Sequence, residues 1–208
     1  MASAGGEGTG PSQGRATRLT ILCRGATVSS RQPRFFSDER LLAKETERAR
    51  KLAQHLRAFD EVLHAPEKSA AETAALFSSR PIPCPPLRDV DYGQWNERAI
   101  ADVAAGSPQA FERWMSDPAA APHGGESFDA ACERAASWLT TLHAKGGSTL
   151  AVTHGIILKL LLAHVLGAPL ASLWRIDVEP LGMLLLTSDG RRWALRGFGS
   201  DLPAVSGL

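Results

Sequence analysis

The sequence predicts an α/β protein, a three-layer αβα sandwich with a mostly parallel central sheet. Short apolar stretches alternate with longer stretches whose apolar residues recur at helical spacing. The chain of 208 residues is long enough for one compact domain with a sizeable core. Two of the apolar stretches run directly into residues 24–27 and 154–155. Because open α/β sheets bind ligands beyond the carboxyl ends of their strands, these two ends predict one shared site.

Charge and cysteine content narrow the functional classes. Lys and Arg number 23 against 22 Asp and Glu, a net charge of +1, so no nucleic-acid or membrane partner is predicted. The three cysteines form no CxxC pair, which favours a reducing cytoplasmic location and predicts no metal site. The most apolar run, residues 156–166, is shorter than the ~20 residues of a membrane span. No glycine-rich nucleotide loop precedes a helix, and no cofactor is predicted.

The first half of the chain begins with a segment of low apolar content. Residues 1–16 are predicted to be a disordered tail, and residues 17–208 a single domain. A strand is predicted over residues 19–23, and Ser37 or Asp38 is predicted to cap the following helix. A second strand over residues 61–64 and a second helix over residues 67–76 complete this half.

The second half continues the alternation. Four prolines within residues 79–86 exclude a helix and favour an extended edge or loop. Helical spacing over residues 128–142 ends at a glycine pair, and a strand over residues 149–153 leads into a nearly all-apolar helix over residues 155–166. Residues 181–187 and 192–198 predict a closing hairpin.

Four segments carry motifs in a characteristic order. Residues 123–127 read His-Gly-Gly-Glu-Ser, and residues 152–155 read Val-Thr-His-Gly. Residues 87–95 match Leu-x-Glu-x-x-Phe-Gly-x-Trp with Asp89 in the acid position, and residues 65–74 follow Ser-Pro-Leu-x-Arg-Ala-x-Gln-Thr-Ala. Together they resemble the histidine phosphatase superfamily, also called phosphoglycerate mutase-like, over about residues 18–198. The resemblance implies the same α/β fold, and its mechanism calls for no metal.

The first motif of that family departs in this chain. The family has Arg-His-Gly-(Glu/Ala)-Thr, whose histidine accepts the phosphoryl group, whereas residues 23–27 read Cys-Arg-Gly-Ala-Thr. Either Arg24 stands at the nucleophile, or a one-residue deletion aligns it with the arginine and the histidine is still missing. Ser69 stands where the family has its second phosphate-holding arginine. A guanidinium cannot act as a nucleophile, so ordinary phosphohistidine turnover is not expected.

The resemblance and the strand ends together predict the site. The predicted catalytic residues are His154, Asp89 and Glu126, which would move protons. Arg24 is predicted to bind the anion, with a surface or salt-bridged arginine as the alternative. The other predicted substrate-binding residues are Gly25, Thr27, Arg31, Ser69 and Gly155. Cys23 is either a thiolate nucleophile or a small core residue, and Trp95 is a candidate for an apolar part of the pocket.

Three functions therefore stay open. The chain is an enzyme with a rebuilt site that acts on or binds a small phosphorylated or carboxylated metabolite. Alternatively, it is a catalytically inactive pseudophosphatase that binds a ligand or a protein. The third reading is a weak phosphomonoesterase or mutase that uses another nucleophile. A homo-oligomer is compatible with each of them.

Overall fold

A computed structural model describes residues 16–200 of the chain. The predicted tail lies outside the described residues except for residue 16, and residues 201–208 also lie outside them. One six-stranded sheet runs through the described part in the order β3-β2-β4-β1-β5-β6. Its strands are β1 Thr17–Cys23, β2 Glu61–His64, β3 Ile82–Pro83, β4 Gly147–Thr153, β5 Met183–Ser188 and β6 Trp193–Gly199.

The sheet is mostly parallel, as predicted. Strands β3, β2, β4 and β1 run in the same direction, and Cys23 at the end of β1 pairs with Thr153 at the end of β4. Strand β5 is antiparallel to β1, and β6 is antiparallel to β5, which confirms the predicted closing hairpin. The four-proline segment contributes only the two-residue edge strand β3, consistent with the missing N–H groups of proline.

Residues 16–200 contain six α-helices besides the sheet, and the predicted α/β fold with a mostly parallel central sheet is confirmed. Two short helices between residues 100 and 116 were not predicted, because neither is long enough to show a clear apolar period. The helices are α1 Ala43–His55, α2 Lys68–Ala74, α3 Ile100–Gly106, α4 Pro108–Ser116, α5 Phe128–Thr141 and α6 Gly155–Leu166.

The predicted cap of the first helix is wrong. Helix α1 begins at Ala43, and neither Ser37 nor Asp38 caps it. Asp38 instead accepts a hydrogen bond from the backbone N–H of Lys68, the first residue of α2, at 2.8 Å. A capping side chain supplied by a distant segment leaves no local sequence signal.

The core is centred on β1, β4 and α6. Apolar residues of both strands are almost completely buried, and α6 buries most of its side chains against the sheet and against α5. Burial on most sides is the reason why this helix is apolar around its whole circumference. Within residues 16–200, none of the helices is long and apolar enough to cross a membrane.

Candidate anion-binding site

The ends of neighbouring parallel strands bring the site together. Arg24 directly follows β1, His154 directly follows β4, and Glu67 lies three residues beyond β2. Asp89 lies beyond β3, on a segment that the Thr153 hydroxyl fixes by donating to the carbonyl of residue 87 at 2.6 Å. The structure thus places Arg24, Asp89 and His154 at the carboxyl edge of the sheet, where the sequence predicts them.

His154 is held between two carboxylates. Its Nδ1 lies 3.0 Å from Asp89 Oδ2, and its Nε2 lies 3.0 Å from Glu67 Oε2. Burial disfavours the charged imidazole, but the charge and hydrogen bond of Asp89 and the hydrogen bond to Glu67 outweigh it and raise the pKa of His154 to about 9. At neutral pH the ring is therefore an imidazolium that carries a proton on each nitrogen.

Asp89 is a carboxylate in this arrangement. Burial opposes its ionisation, but the positive charge of His154 and the N–H of Val90, which donates to Oδ1 at 2.8 Å, hold the pKa of Asp89 below its usual range. The backbone N–H of Asp89 also donates to Glu67 Oε1 at 3.1 Å. Of this pair, His154 holds the proton that can be given away, and Asp89 can only accept one.

Arg24 lies on the Nδ1 side of His154, the side that also faces Asp89. Its Nη1 donates to the carbonyl of Gly25 at 2.8 Å and to the Ser30 hydroxyl at 3.1 Å. Its Nε lies 3.4 Å from His154 Nδ1. Because Nδ1 directs its own proton to Asp89 at a shorter distance, we interpret the Arg24–His154 approach as a contact between two cations. Two carboxylates and two cations thus balance one another, and the Arg24 guanidinium is only partly buried.

A cavity of about 240 Å³ opens beside these groups. Four of the predicted site residues line it: Arg24, Asp89, His154 and Gly155. Arg34 adds a second guanidinium, whose Nη1 donates to the carbonyl of residue 97 at 3.0 Å. The remaining lining residues are Ser29, Ser30, Phe35, Phe36, Ser37, Tyr92, Ile100, Trp114 and Ile156. The side chain of Arg31 is outside the part that the structure describes.

Three other predicted substrate-binding residues are buried behind the cavity wall. The backbone N–H of Gly25 donates to the Thr73 hydroxyl at 3.1 Å, and that hydroxyl donates to the carbonyl of Ser69 at 2.7 Å. The Thr27 hydroxyl lies 3.2 Å from the hydroxyl of Ser30. These hydrogen bonds hold the loop after β1 in place. Substrate contact by Gly25, Thr27 and Ser69 stays a prediction.

Glu126 belongs to a different ion-pair network. Arg134 binds its carboxylate with two parallel hydrogen bonds, of 2.8 Å from Nε and 2.7 Å from Nη2, and Arg88 adds a third of 2.9 Å. Arg134 Nη1 also donates to the carbonyl of Pro86 at 2.6 Å. Glu126 is not among the residues that line the cavity beside His154, and its catalytic role stays a prediction.

Two glycines explain why the Gly-Gly-Glu-Ser segment packs closely on the preceding motif. A Cβ atom at Gly125 would lie 2.1 Å from the carbonyl oxygen of Asp91, and one at Gly93 would lie 2.3 Å from the carbonyl oxygen of His123. The N–H of Glu126 donates to that same Asp91 carbonyl at 2.7 Å. Only residues without a side chain permit these two backbones to approach so closely.

Cys23 is buried at the end of β1, next to Gly155. Burial raises the pKa of its thiol to about 11, although the neighbouring Arg24 opposes the rise. At neutral pH the side chain is a neutral thiol, which favours the core interpretation over the nucleophile interpretation.

Glu67 is the site residue that the sequence analysis did not single out. Its carboxylate, 12% exposed, accepts hydrogen bonds from both His154 and the backbone of Asp89. One signal was present: an acidic residue stands at the leucine position of the motif in residues 65–74, just beyond a strand. Across residues 16–200, no three His, Cys, Asp or Glu side chains are grouped so that they could hold a metal ion.

The sequence model of the histidine phosphatase superfamily (branch 1) matches residues 19–201 of the chain. This range includes the whole sheet apart from the first two residues of β1, together with the segments that carry Arg24, Glu67, Asp89 and His154. The chain belongs to the histidine phosphatase superfamily. As a member of this superfamily, it has relatives that act as phosphatases on small phosphorylated molecules.

Individual relatives cover different parts of the chain. An adenosylcobalamin/alpha-ribazole phosphatase of Salmonella typhimurium is 33% identical over 128 residues, which are 58% of this chain and 63% of that protein. A mycobacterial glucosyl-3-phosphoglycerate phosphatase in complex with inorganic phosphate has a TM-score of 0.74 at 23% identity, over 86% of this chain and 95% of that one. An Entamoeba histolytica phosphoserine phosphatase in complex with 3-phosphoglyceric acid has a TM-score of 0.80 at 16% identity, over 91% and 100%. The two structures show likeness of fold alone.

Proposed function

We propose that this chain binds a small phosphorylated or carboxylated metabolite in the cavity beside Arg24 and His154, and does not process it through a phosphohistidine. The observation that carries the proposal is the partly exposed guanidinium of Arg24, which lines the cavity beside the imidazolium of His154. Arg34 adds a second guanidinium at the cavity wall. Guanidinium groups bind phosphate and carboxylate through charge-assisted hydrogen bonds, whereas His154 directs its two N–H groups to Asp89 and Glu67 and contributes charge alone.

The missing histidine supports the second half of the proposal. The motif resemblance aligns residue 24 with the family's nucleophile or its preceding arginine, and neither alignment supplies a histidine. A guanidinium cannot act as a nucleophile, and burial raises the pKa of the Cys23 thiol to about 11. Loss of a nucleophile commonly lowers turnover by several powers of ten. The relatives' phosphatase activity therefore supports the ligand class more than it supports the reaction.

Calorimetric titration with inorganic phosphate tests binding directly. We expect the unmodified chain to bind phosphate and Arg24→Ala to weaken it by about tenfold or more, the value of a charge-assisted hydrogen bond. Arg40→Ala is the matched control, because its side chain is 82% exposed and pairs with Glu72. Equal weakening by both variants, or no binding by the unmodified chain, would contradict the proposal.

Turnover is tested with p-nitrophenyl phosphate and a panel of phosphorylated metabolites. We expect no phosphate release above that of the Arg24→Ala variant. Robust release by the unmodified chain alone would support the weak phosphomonoesterase instead. Arg24→His restores the family's motif residue, but with Ser69 still in place of the second arginine we expect little or no gain in activity.

Acid–base chemistry is a second candidate, because Nδ1 of His154 and Oδ2 of Asp89 lie 3.0 Å apart at the cavity wall. Such a pair can remove a proton from a carbon atom of a bound carboxylate, or return one to it. Deuterium uptake by candidate carboxylates in heavy water, followed by NMR, tests this function. We expect His154→Gln to abolish any uptake that the unmodified chain shows.

The proposal includes a cytoplasmic location. Cys23, Cys84 and Cys132 are all free thiols, the pattern typical of a reducing compartment. It includes no cofactor, no nucleic acid and no membrane partner. A homo-oligomer or a protein partner is left to be measured by the mass of the chain in solution.

A further inference from the structure

The cavity has two chemically different ends. Arg24, Asp89 and His154 form a charged end, whereas Phe36, Ile100 and Ile156 expose part of their apolar surface at the other wall. A ligand that satisfied only the cations would leave this apolar wall in contact with water. A ligand that fills the cavity would therefore contact the apolar end as well as the charged end.

Aromatic rings form the back of the apolar end. Phe35 packs on Tyr92 and on Trp114, with ring centroids 5.1 Å and 5.4 Å apart, and all three side chains are buried. The partly buried ring of Phe36 also lines the cavity and meets the imidazole of His154 edge-on, at 6.4 Å between centroids. A flat group that lies against Phe36 would thus sit beside the charged end.

The backbone holds this wall in place. The N–H of Phe35 donates to the carbonyl of Arg98 at 3.0 Å, the N–H of Ile100 to the carbonyl of Pro33 at 3.0 Å, and the N–H of residue 97 to the carbonyl of Phe36 at 2.9 Å. The loop that carries Phe36 is therefore already ordered by backbone hydrogen bonds with the segment that begins α3. Pre-organised walls bind with a smaller entropy cost.

We propose that the anion bound at this site is carried on a flat apolar or aromatic group, which packs between Phe36 and Ile100. The inference rests on the proposed function, because it assigns the body of the ligand whose anion that function assigns. A hydroxyl-rich body such as a sugar would have to lose water against Phe36, Ile100 and Ile156, which offer it no hydrogen bond. Three serines also line the cavity: the hydroxyl of Ser30 is already bonded to Arg24 and Thr27, whereas that of Ser29 has no hydrogen-bond partner among the described residues.

Two phosphonates test the inference. Phenylphosphonate and methylphosphonate carry the same anion, cannot be hydrolysed as esters, and differ in the ring. We expect the full chain to bind phenylphosphonate at least about tenfold more tightly, which is ~1.4 kcal/mol, in calorimetric titrations at one pH between about 7 and 8, where His154 is charged.

Phe36→Ala is the decisive variant. We expect it to reduce the preference for the phenyl compound over the methyl compound to less than about threefold, since the apolar surface of Phe36 would be lost to the phenyl ring; the readout is the ratio of the two affinities in the same variant, which cancels any change at the anion site. Phe77→Ala is the matched control, because Phe77 is a partly buried ring that packs on the core outside the cavity. Ile100→Ala repeats the test at a second apolar residue of the cavity lining if Phe36→Ala unfolds at a lower temperature.

The outcomes separate the two proposals. Equal affinity of the unmodified chain for both phosphonates overturns the inference and leaves the anion site standing. A phenyl preference that survives both Phe36→Ala and Ile100→Ala also overturns it. No binding of either phosphonate overturns the proposed function and, with it, the inference.

Discussion

Replacing Glu67 by Gln should lower the pKa of His154. The substitution keeps the shape of the side chain and an oxygen that can accept the Nε2 proton, but it removes the negative charge. It therefore tests how far the negative charge of Glu67, beyond the hydrogen bond itself, raises the pKa of His154. Glu67 is a positioning residue in this scheme, because it acts on the ligand through His154.

The structure sets the size of the effect. The rise of the His154 pKa from 6.5 to about 9 is worth about 3 kcal/mol in favour of the charged ring. Burial opposes the rise, so the two carboxylates at 3.0 Å together contribute more than this net value. Asp89 acts through both charge and hydrogen bond and contributes the larger share. We expect Glu67→Gln to lower the pKa of His154 by about one unit, ~1.4 kcal/mol, and Asp89→Asn to lower it further.

NMR titration of the imidazole nitrogens measures this directly. The chain has six histidines, and the resonance of His154 is the one that disappears in His154→Gln. Glu47→Gln is the matched control, since Glu47 is exposed on α1 and pairs only with Arg50 in the described part of the chain. A His154 pKa near its ordinary value in the unmodified chain would refute the reasoning. An unchanged pKa in Glu67→Gln would refute the role of Glu67 alone.

Three further predictions concern stability and reactivity. Gly125→Ala should lower the free energy of unfolding in urea by about 3 kcal/mol, because its Cβ would meet a backbone carbonyl, whereas Gly106→Ala, whose Cβ would have only an ordinary contact with the Arg98 side chain at 3.9 Å, should change it little. Cys23 should react with iodoacetamide at neutral pH about a hundredfold more slowly than an ordinary cysteine, because burial raises its pKa to about 11. The stability contributed by His154 should be complete below about pH 6.5 and should be lost as the pH rises through about 9. That of Asp89 should be lost as the pH falls through its lowered pKa, and urea unfolding over the pH range measures both.

Each of these has a distinct contradictory result. Equal stability of Gly125→Ala and Gly106→Ala would show that the backbones can separate without cost. Rapid labelling of Cys23 in the folded chain, at the rate seen in urea, would show an accessible thiolate. A free energy of unfolding that falls equally between pH 7 and 10 in the unmodified chain and in His154→Gln would assign the loss to another group.

The sequence predicted the sheet well because buried strands and amphipathic helices are encoded locally. Strand β2 and helix α6 have the predicted bounds, and β1 and β4 are each two residues longer at their start. Prediction failed where a contact joins distant segments. Asp38 caps a helix that begins thirty residues later, as the bond from Asp38 to Lys68 shows. No pattern of neighbouring residues contains that information.

The site was predicted in part for the same reason. Arg24, Asp89 and His154 follow predicted strands or motifs, so their proximity could be inferred from topology. The sequence could not show that Glu67 takes the second nitrogen of His154, or that Phe36 lies beside that ring. Trp95, a candidate for the pocket, is instead 2% exposed and packs in the aromatic core. Residue type alone does not show whether a ring faces the cavity or the core.

The close backbone contact between Gly93 and Gly125 shows that some motif residues of this superfamily are needed for packing and not for the reaction. Gly93 and Gly125 allow the loops that carry them to pack against each other, and the Thr153 hydroxyl holds the segment of residue 87 in place. These motif residues serve the packing of the fold, and none of their contacts involves a reacting atom. These contacts therefore do not depend on which residue stands at position 24. For sequences of this kind, the residue after the first strand is the more informative place to look for activity than the motifs that reveal the fold.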